Sequence, residues 1–352
     1  MGYLEESLHK HPRLRSVLAR IAALKPAADV IKTWANEYTR WHKTGIDPKD
    51  PDGPFACQRL HRPIFMPALR PTFHIDKSDR LFAMGSCFAR GIESALKARG
   101  FRVESAAKDF DKFTVESGKK VTALGFTNKY TTYSMLNELR WALDPAAFFP
   151  ETSLVDLDAR RCIDPHINPT LMVTDHIGTL ERRRIIREVT RRINDCRVVF
   201  LTLGLVEVWY DTLAEVFLNT TPILEMQRMF PRRYEFMTSN YLQNMENMES
   251  LYTLLATHGR KDLHIIVTTS PVPLQATFTG QDIVLANTYS KSTLRAVAQD
   301  FAAAHDNVQY FPSYEMVMNS ERDRAWEDDL RHVKGAMTNN IMDVFMRNFV
   351  QG

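Results

Sequence analysis

The sequence predicts an α/β protein built on a parallel sheet covered by helices on both faces, preceded by a helical extension. Three observations carry this. Apolar runs of strand length recur along the chain, each run is followed by a longer segment with helical spacing, and the runs are apolar throughout rather than alternating. In open parallel sheets ligands bind beyond the carboxyl ends of the strands. The segments after Met84, Leu203 and Thr268 are therefore expected to converge on one edge.

Taken in order, Leu14, Val17, Leu18, Ile21 and Leu24 recur at helical spacing, and Val30, Ile31, Trp34, Tyr38 and Trp41 continue after Pro26. Two amphipathic helices are expected. Arg13, Arg15 and Arg20 line the polar side, which suits solvent and would also suit a protein partner or an anionic membrane surface. Pro48, Pro51, Pro54, Pro63, Pro67 and Pro71 recur too often for regular structure and mark an extended connector. Residues 1–72 are thus read as extension and connector, and 73–352 as the main domain.

Within that domain the expected elements are a strand over Arg80–Met84, a helix to Arg99, a short strand over Phe101–Glu104 and a helix around Tyr133–Leu143. Then come a basic helix over Thr179–Ile193, a buried strand over Val198–Leu203, a helix over Tyr241–Leu255 and a strand over Leu263–Thr268. Ile283–Ala304 reads as helix, Val308–Phe311 as the last strand and Val333–Phe349 as the last helix.

Composition narrows the class. The chain has 352 residues, 44% of them hydrophobic and 25% charged, which is ordinary for a globular protein with a sizeable core. A balance of 45 Lys+Arg against 42 Asp+Glu leaves +3, too little for a general nucleic-acid binder. Cys57, Cys87, Cys162 and Cys196 are scattered, with neither a disulfide framework nor zinc spacing. No run is long enough to span a bilayer and the amino end has no signal-peptide core, so a cytoplasmic location with reduced thiols is expected. Neither a metal nor another cofactor is expected. His264 sits in an apolar strand and reads as core, and Asp175-His176 and His166 have no ligand partners visible in sequence.

The stretch with most chemical content is Gly85-Ser86-Cys87-Phe88-Ala89, directly after Leu81-Phe82-Ala83-Met84. A strand, a glycine, a small nucleophile and a helix place a hydroxyl at the positive end of a helix dipole, where free N–H groups can meet an oxyanion. Ser86 is the candidate nucleophile; a plain helix N-cap is its structural alternative. Cys87 is the rival nucleophile, since a thiolate is favoured at a helix N-terminus. Near the other end, Asp329-Leu330-Arg331-His332 puts a carboxylate three residues before a histidine. A serine hydroxyl needs an imidazole to take its proton, and the imidazole needs a carboxylate to fix its tautomer. Ser86, His332 and Asp329 fill these roles, with Asp328 an alternative orienter.

These residues resemble the GSCFA family, which is grouped with the SGNH (GDSL-like) hydrolases. The resemblance starts at Gly85-Ser86-Cys87-Phe88-Ala89 and continues through Asn128-Lys129-Tyr130-Thr131-Thr132-Tyr133 and Leu201–Trp209. It goes on through Thr269-Ser270-Pro271-Val272-Pro273-Leu274 and Phe311-Pro312-Ser313-Tyr314-Glu315 to Asp329–His332, covering about Phe73 to Val333. It implies a flavodoxin-like, three-layer α/β/α domain and a triad of Ser86, His332 and Asp329. In the wider group the oxyanion is held by the nucleophile's own N–H, a glycine and an asparagine. Here the third block reads Gly204-Leu205-Val206-Glu207, and its asparagine is missing. Loss of one such donor typically costs about two to three orders of magnitude in turnover. Asn128 is the substitute donor, beside the N–H groups of Ser86 and Gly204; an Asx-turn or a helix cap is the structural alternative for Asn128.

Tyr130, Glu207 and Trp209 are the expected substrate contacts; Tyr210 is a further ring that could stack on a sugar, and Gln275 and Thr277 follow the prolines of the third edge segment. Arg182, Arg183, Arg184, Arg187, Arg191 and Arg192 form a basic helix that faces either solvent or an acidic ligand. Two functions follow. The first is a serine esterase or O-acyltransferase acting on an acylated small molecule or carbohydrate. The second is a binding or scaffold protein that keeps the fold without turnover.

Overall fold

The computed structural model describes residues 25–107, 109, 126–167 and 174–351. It divides into two units, Met1–Pro63 and Ile64–Gly352. In the first, the expected helix across Val30 to Trp41 is instead a short helix, Ala27–Val30, followed by 3₁₀ turns at Ile31–Ala35 and Glu37–Thr39. Polar side chains compete with the backbone here. Thr33 Oγ1 donates to Val30 O at 2.7 Å and Asn36 Oδ1 accepts from Tyr38 N at 3.1 Å, and such local bonds favour turns over a continuing helix. The helix expected over Leu14–Leu24, with Arg13, Arg15 and Arg20, lies outside the described residues. Residues 64–72, expected in the connector, belong to the second unit. Ile64, Met66 and Leu69 pack on its core, and Phe65 N donates to Ser320 Oγ at 2.9 Å.

Ten strands occur among the described residues: β1 Arg80–Gly85, β2 Arg102–Val103, β3 Val155–Asp158, β4 Arg161–Ile163, β5 Val198–Leu203, β6 Glu207–Asp211, β7 Val216–Phe217, β8 Tyr234–Thr238, β9 His264–Thr269 and β10 Val308–Tyr310. The longer helices are α1 Cys87–Ala98, α2 Thr132–Leu143, α3 His176–Arg191, α4 Tyr241–His258, α5 Ile283–Ala304 and α6 Gly335–Phe349. The central sheet runs β10-β9-β5-β1-β2 and every pairing in it is parallel. Counting its five strands in chain order gives 2-1-3-4-5, the flavodoxin-like doubly wound order. The order reverses between β1 and β5. That is the switch point where such sheets bind ligands.

Alternate residues of β1, β5 and β9 feed two separate cores, as strand geometry demands. Leu81, Ala83, Phe200 and Ile266 join Phe88, Ile92, Leu96, Ile341 and Phe345 of α1 and α6 on one face. Phe82, Met84, Leu201 and Val267 join Leu139, Leu251 and Val297 of α2, α4 and α5 on the other. Three layers result. His264, expected in the core, is instead half-buried at the start of β9, with its ring stacked on Phe73 at 4.0 Å.

Two additions stand outside this frame. The β3–β4 hairpin is antiparallel, and β7-β6-β8 forms a separate antiparallel sheet. The basic helix is largely α3, and its charges are mostly spent internally. Arg183 is buried between Glu138 and Asp164, Arg184 pairs with Glu181 and Glu188, and Arg192 with Asp109. Arg191 Nε donates to Ala142 O at 2.8 Å. An acidic-ligand face is therefore not what this helix offers.

Candidate active site

Gly85 closes β1 with φ of +152°, and a Cβ built there would lie 2.6 Å from Thr202 Cβ and 2.7 Å from Thr202 O on β5. Only glycine fits this turn. Ser86 follows at the N-cap of α1, yet its side chain makes no cap hydrogen bond. The hydroxyl is instead 3.2 Å from Ser270 Oγ, which follows β9, and Ser86 is 5% exposed. This separates Ser86 from an ordinary cap serine, whose oxygen would accept from the helix. Cys87, the rival, is exposed one residue further on.

Asn128 is drawn to the same turn through a parallel bridge with Gly85, and Lys129 N donates to Gly85 O at 2.8 Å. Its neighbours are pinned from several sides. Buried Arg90 donates to Thr127 Oγ1 at 2.7 Å and to Ala83 O at 2.7 Å. Asn219 Nδ2 donates to Asn128 O, and Tyr130 N donates to Asn219 Oδ1, both at 2.9 Å. Lys129 is held against Glu138 at 2.6 Å. The Asn128 amide itself is left nearly idle. Its Oδ1 has no partner among the described residues, and Nδ2 reaches only Tyr130 Oη at 3.4 Å. A buried amide so placed is a group that a ligand can satisfy.

Gly204, immediately after β5, completes the edge. A Cβ there would meet Tyr130 O at 2.6 Å, and Leu205 N donates to that same carbonyl at 2.8 Å. Lys291 of α5 is fully buried and donates to Gly204 O at 2.8 Å and Val272 O at 2.7 Å. Burial pushes its pKa down to about 7. Ser270, Asn219 and Lys291 escaped the sequence reading. Ser270 lay inside a recognised motif and had a signal; Asn219 and Lys291 had none.

Asp329 and His332 sit on a tight loop closed by a bridge between Trp326 and Val333. Asp329 Oδ1 accepts from the N–H groups of Arg331 and His332, each at 2.9 Å, and Oδ2 is 2.5 Å from His332 Nδ1. Those bonds, the His332 N–H first, hold the Asp329 carboxyl well below the ordinary carboxylate range. Arg331 Nη1 lies 3.1 Å from His332 Nε2. A guanidinium can only donate, so Nε2 accepts and the ring proton of a neutral imidazole is on Nδ1, facing Asp329. That is the tautomer of a general base. Among the described residues Asp328 makes no bond to the ring.

The loop lies toward the same edge of the sheet as Ser86. Ile75, five residues before β1, pairs with Val350 and donates its N–H to Phe349 O at 2.8 Å, which sets the carboxyl end of α6 at the amino edge of the sheet. The amino end of α6, three residues after His332, therefore points to the carboxyl edge. A Cβ on Gly91 in α1 would lie 3.2 Å from Thr338 Cγ2 in α6. No hydrogen bond joins Ser86 to His332, whose ring is engaged by Asp329 and Arg331.

The expected substrate contacts fare differently. Both Glu207 oxygens are taken, one by Thr277 Oγ1 at 2.6 Å and the other by Phe278 N at 2.9 Å, so this side chain ties down a loop. Trp209 packs against Phe236 and Phe278 with ring centroids 5.2 and 5.1 Å apart. Tyr210 packs on Phe217. Tyr130 stays half-buried beside Asn128, and Gln275 is exposed. His166 is buried edge-on to Trp141 and Phe149, and burial holds it neutral.

A doubly wound α/β protein with a serine, an amide and two glycines at its switch point is the class that fold and site define. The GSCFA family pattern matches residues 80–345, and the chain belongs to the GSCFA family. No curated protein sequence matches it. Among solved structures it is similar to a carbohydrate esterase family 2 enzyme with its carbohydrate-binding domain from Corynascus thermopiles (Myceliophthora fergusii). Identity is 12%, coverage 80% of this chain and 67% of that one, and the TM-score 0.33. It is also similar to LAE5, an alpha/beta hydrolase from the metagenome of Lake Arreo, Spain, at 11% identity, coverage of 78% and 96%, and a TM-score of 0.30. No described helix is long and apolar enough to cross a membrane.

Proposed function

We propose that the protein is a serine-dependent acyl-ester hydrolase or O-acyltransferase acting on an acylated carbohydrate. The observation that carries this reading is the Ser86 hydroxyl, which forgoes the helix cap and turns into the switch-point edge beside Ser270. In the proposed reaction the loop bearing His332 closes on Ser86, and Nε2 exchanges Arg331 for the serine hydroxyl. Nε2 then takes the hydroxyl proton while Oγ bonds to the acyl carbonyl carbon. Asp329, already ionised, balances the imidazolium. The Ser86 and Gly204 N–H groups and the Asn128 amide hold the oxyanion. Collapse breaks the ester C–O bond, the alcohol leaves with the proton from Nε2, and water or a sugar hydroxyl then takes the acyl group from Ser86. The exposed ring of Phe278 beside Trp209 offers an apolar face for a sugar.

Labelling with a fluorophosphonate tests this. Labelling of the native chain that disappears in both Ser86→Ala and His332→Ala supports the enzyme. A native chain that does not label favours the scaffold reading, which rests on the His332–Arg331 contact and on Val206 standing where the wider pattern has asparagine.

A further inference from the structure

Asp156 on β3 and Cys162 on β4 are directly paired across the antiparallel hairpin, so both side chains stand on one face. Cys162 N donates to Thr174 O at 2.7 Å, which brings the start of α3 alongside. His176, the first residue of α3, then lies over the pair; the capping of α3 is done by Asp175, whose Oδ1 accepts from Gly178 N at 2.8 Å. His176 Nδ1 is 3.0 and 3.1 Å from the two Asp156 oxygens and 3.8 Å from Cys162 Sγ. One ligand-type atom from each residue lies within 4.8 Å of the others.

Both contacts use the same ring nitrogen. A thiol–imidazole–carboxylate relay needs the acid on one nitrogen and the thiol on the other, so this is not a second nucleophilic triad. Three donors converging on one point form the outline of a coordination shell. In a tetrahedral zinc site, bond lengths of about 2.0 to 2.3 Å put ligand atoms roughly 3.4 Å (N to O) and 3.6 Å (N to S) apart. The His176–Asp156 and His176–Cys162 spacings depart from these by a few tenths of an ångström, and the third pair lies within 4.8 Å. A thiolate, an imidazole and a carboxylate match the donor preference of zinc and exclude the all-oxygen shells of magnesium and calcium. Cys162 is buried, whereas the Asp156 and His176 side chains are 54% and 41% exposed, which leaves the outer side open to a water ligand.

We infer that Asp156, Cys162 and His176 bind a single zinc-class divalent ion that clips the β3–β4 hairpin to the start of α3. On binding, the Cys162 thiol loses its proton to solvent and the sulfur bonds to the ion. The inference is independent of the proposed esterase activity, and it revises the expectation of no metal. It also supplies the partners that the sequence did not reveal for His176.

Cobalt(II), added to the full-length chain under reducing conditions, is the probe. The expected result is one cobalt per chain with a thiolate-to-cobalt charge-transfer band, displaced by zinc and absent from His176→Ala and Cys162→Ser. His176→Ala guards against misfolding of the buried cysteine variant, because His176 is partly exposed. A variant with Cys57, Cys87 and Cys196 all changed to Ser should keep the band. The inference is overturned by a native chain with no such band, or by a band that survives in Cys162→Ser or His176→Ala.

Discussion

Ser86 Oγ and Ser270 Oγ, 184 positions apart in sequence, lie 3.2 Å from each other across the end of the strand that separates β1 from β9. The hydroxyl offered as nucleophile thus meets a neighbour from the segment after another strand, β9. Ser86→Ala is expected to abolish fluorophosphonate labelling. Ser270→Ala should slow it by about tenfold, the worth of one neutral hydrogen bond. Labelling rates measure both, and an unchanged rate in Ser270→Ala would show that the contact does not orient the nucleophile.

Asp329, not Asp328, holds the His332 ring. Asp329→Ala should reduce the labelling rate by about 10⁴, the typical effect of removing a triad carboxylate, and Asp328→Ala should leave it within about twofold. Equal losses in the two variants would remove Asp329 from its assigned role.

Arg331 occupies the lone pair with which His332 would accept the serine proton. Arg331→Ala is expected to speed labelling several-fold by freeing Nε2. A drop in rate would mean instead that the guanidinium serves substrate or loop closure.

Lys291 carries the clearest pH signature. Its pKa is lowered by burial from 10.5 to about 7, so between those values the native state binds fewer protons than the unfolded chain. Stability attributable to this group rises with pH across that window, by at most about 1.4 kcal/mol per unit, and is level below it. Urea unfolding at pH 7.5 and 9.5 should show a gain larger by about 2 kcal/mol in the native protein than in Lys291→Met. The same gain in both would contradict a lysine that is neutral when buried.

Glu138 compensates two buried cations, Lys129 at 2.6 Å and Arg183 at 2.8 Å. Burial alone would raise its pKa, but the two cations outweigh burial and hold the carboxyl below its ordinary value. Glu138→Ala takes the paired carboxylate from buried Lys129 and leaves Arg183 only Asp164, at 3.3 Å, and should destabilise the fold by about 3–5 kcal/mol. Because Lys129 adjoins Asn128, labelling should fall as well, even at temperatures where the variant stays folded.

The amino-acid order alone determined the layers and the local pieces of the site. Apolar runs such as Val198–Leu203 and Leu263–Thr268 announced buried parallel strands, since only strands covered on both faces dispense with alternation. The Gly85-Ser86 turn and the Asp329–His332 loop were legible because each is a short-range pattern with a chemical purpose. The antiparallel strands β3, β4, β6, β7 and β8 were not, since they are brief, partly exposed and lack a continuous apolar run. Tertiary structure alone decided which groups meet. Ser270 comes to Ser86, Asn219 to the Asn128 segment, Glu207 to a loop rather than to a ligand, and Asp156 and Cys162 to His176. Spacing along a chain encodes the period of a helix or strand, whereas such meetings depend on strand order and register, which no local window contains.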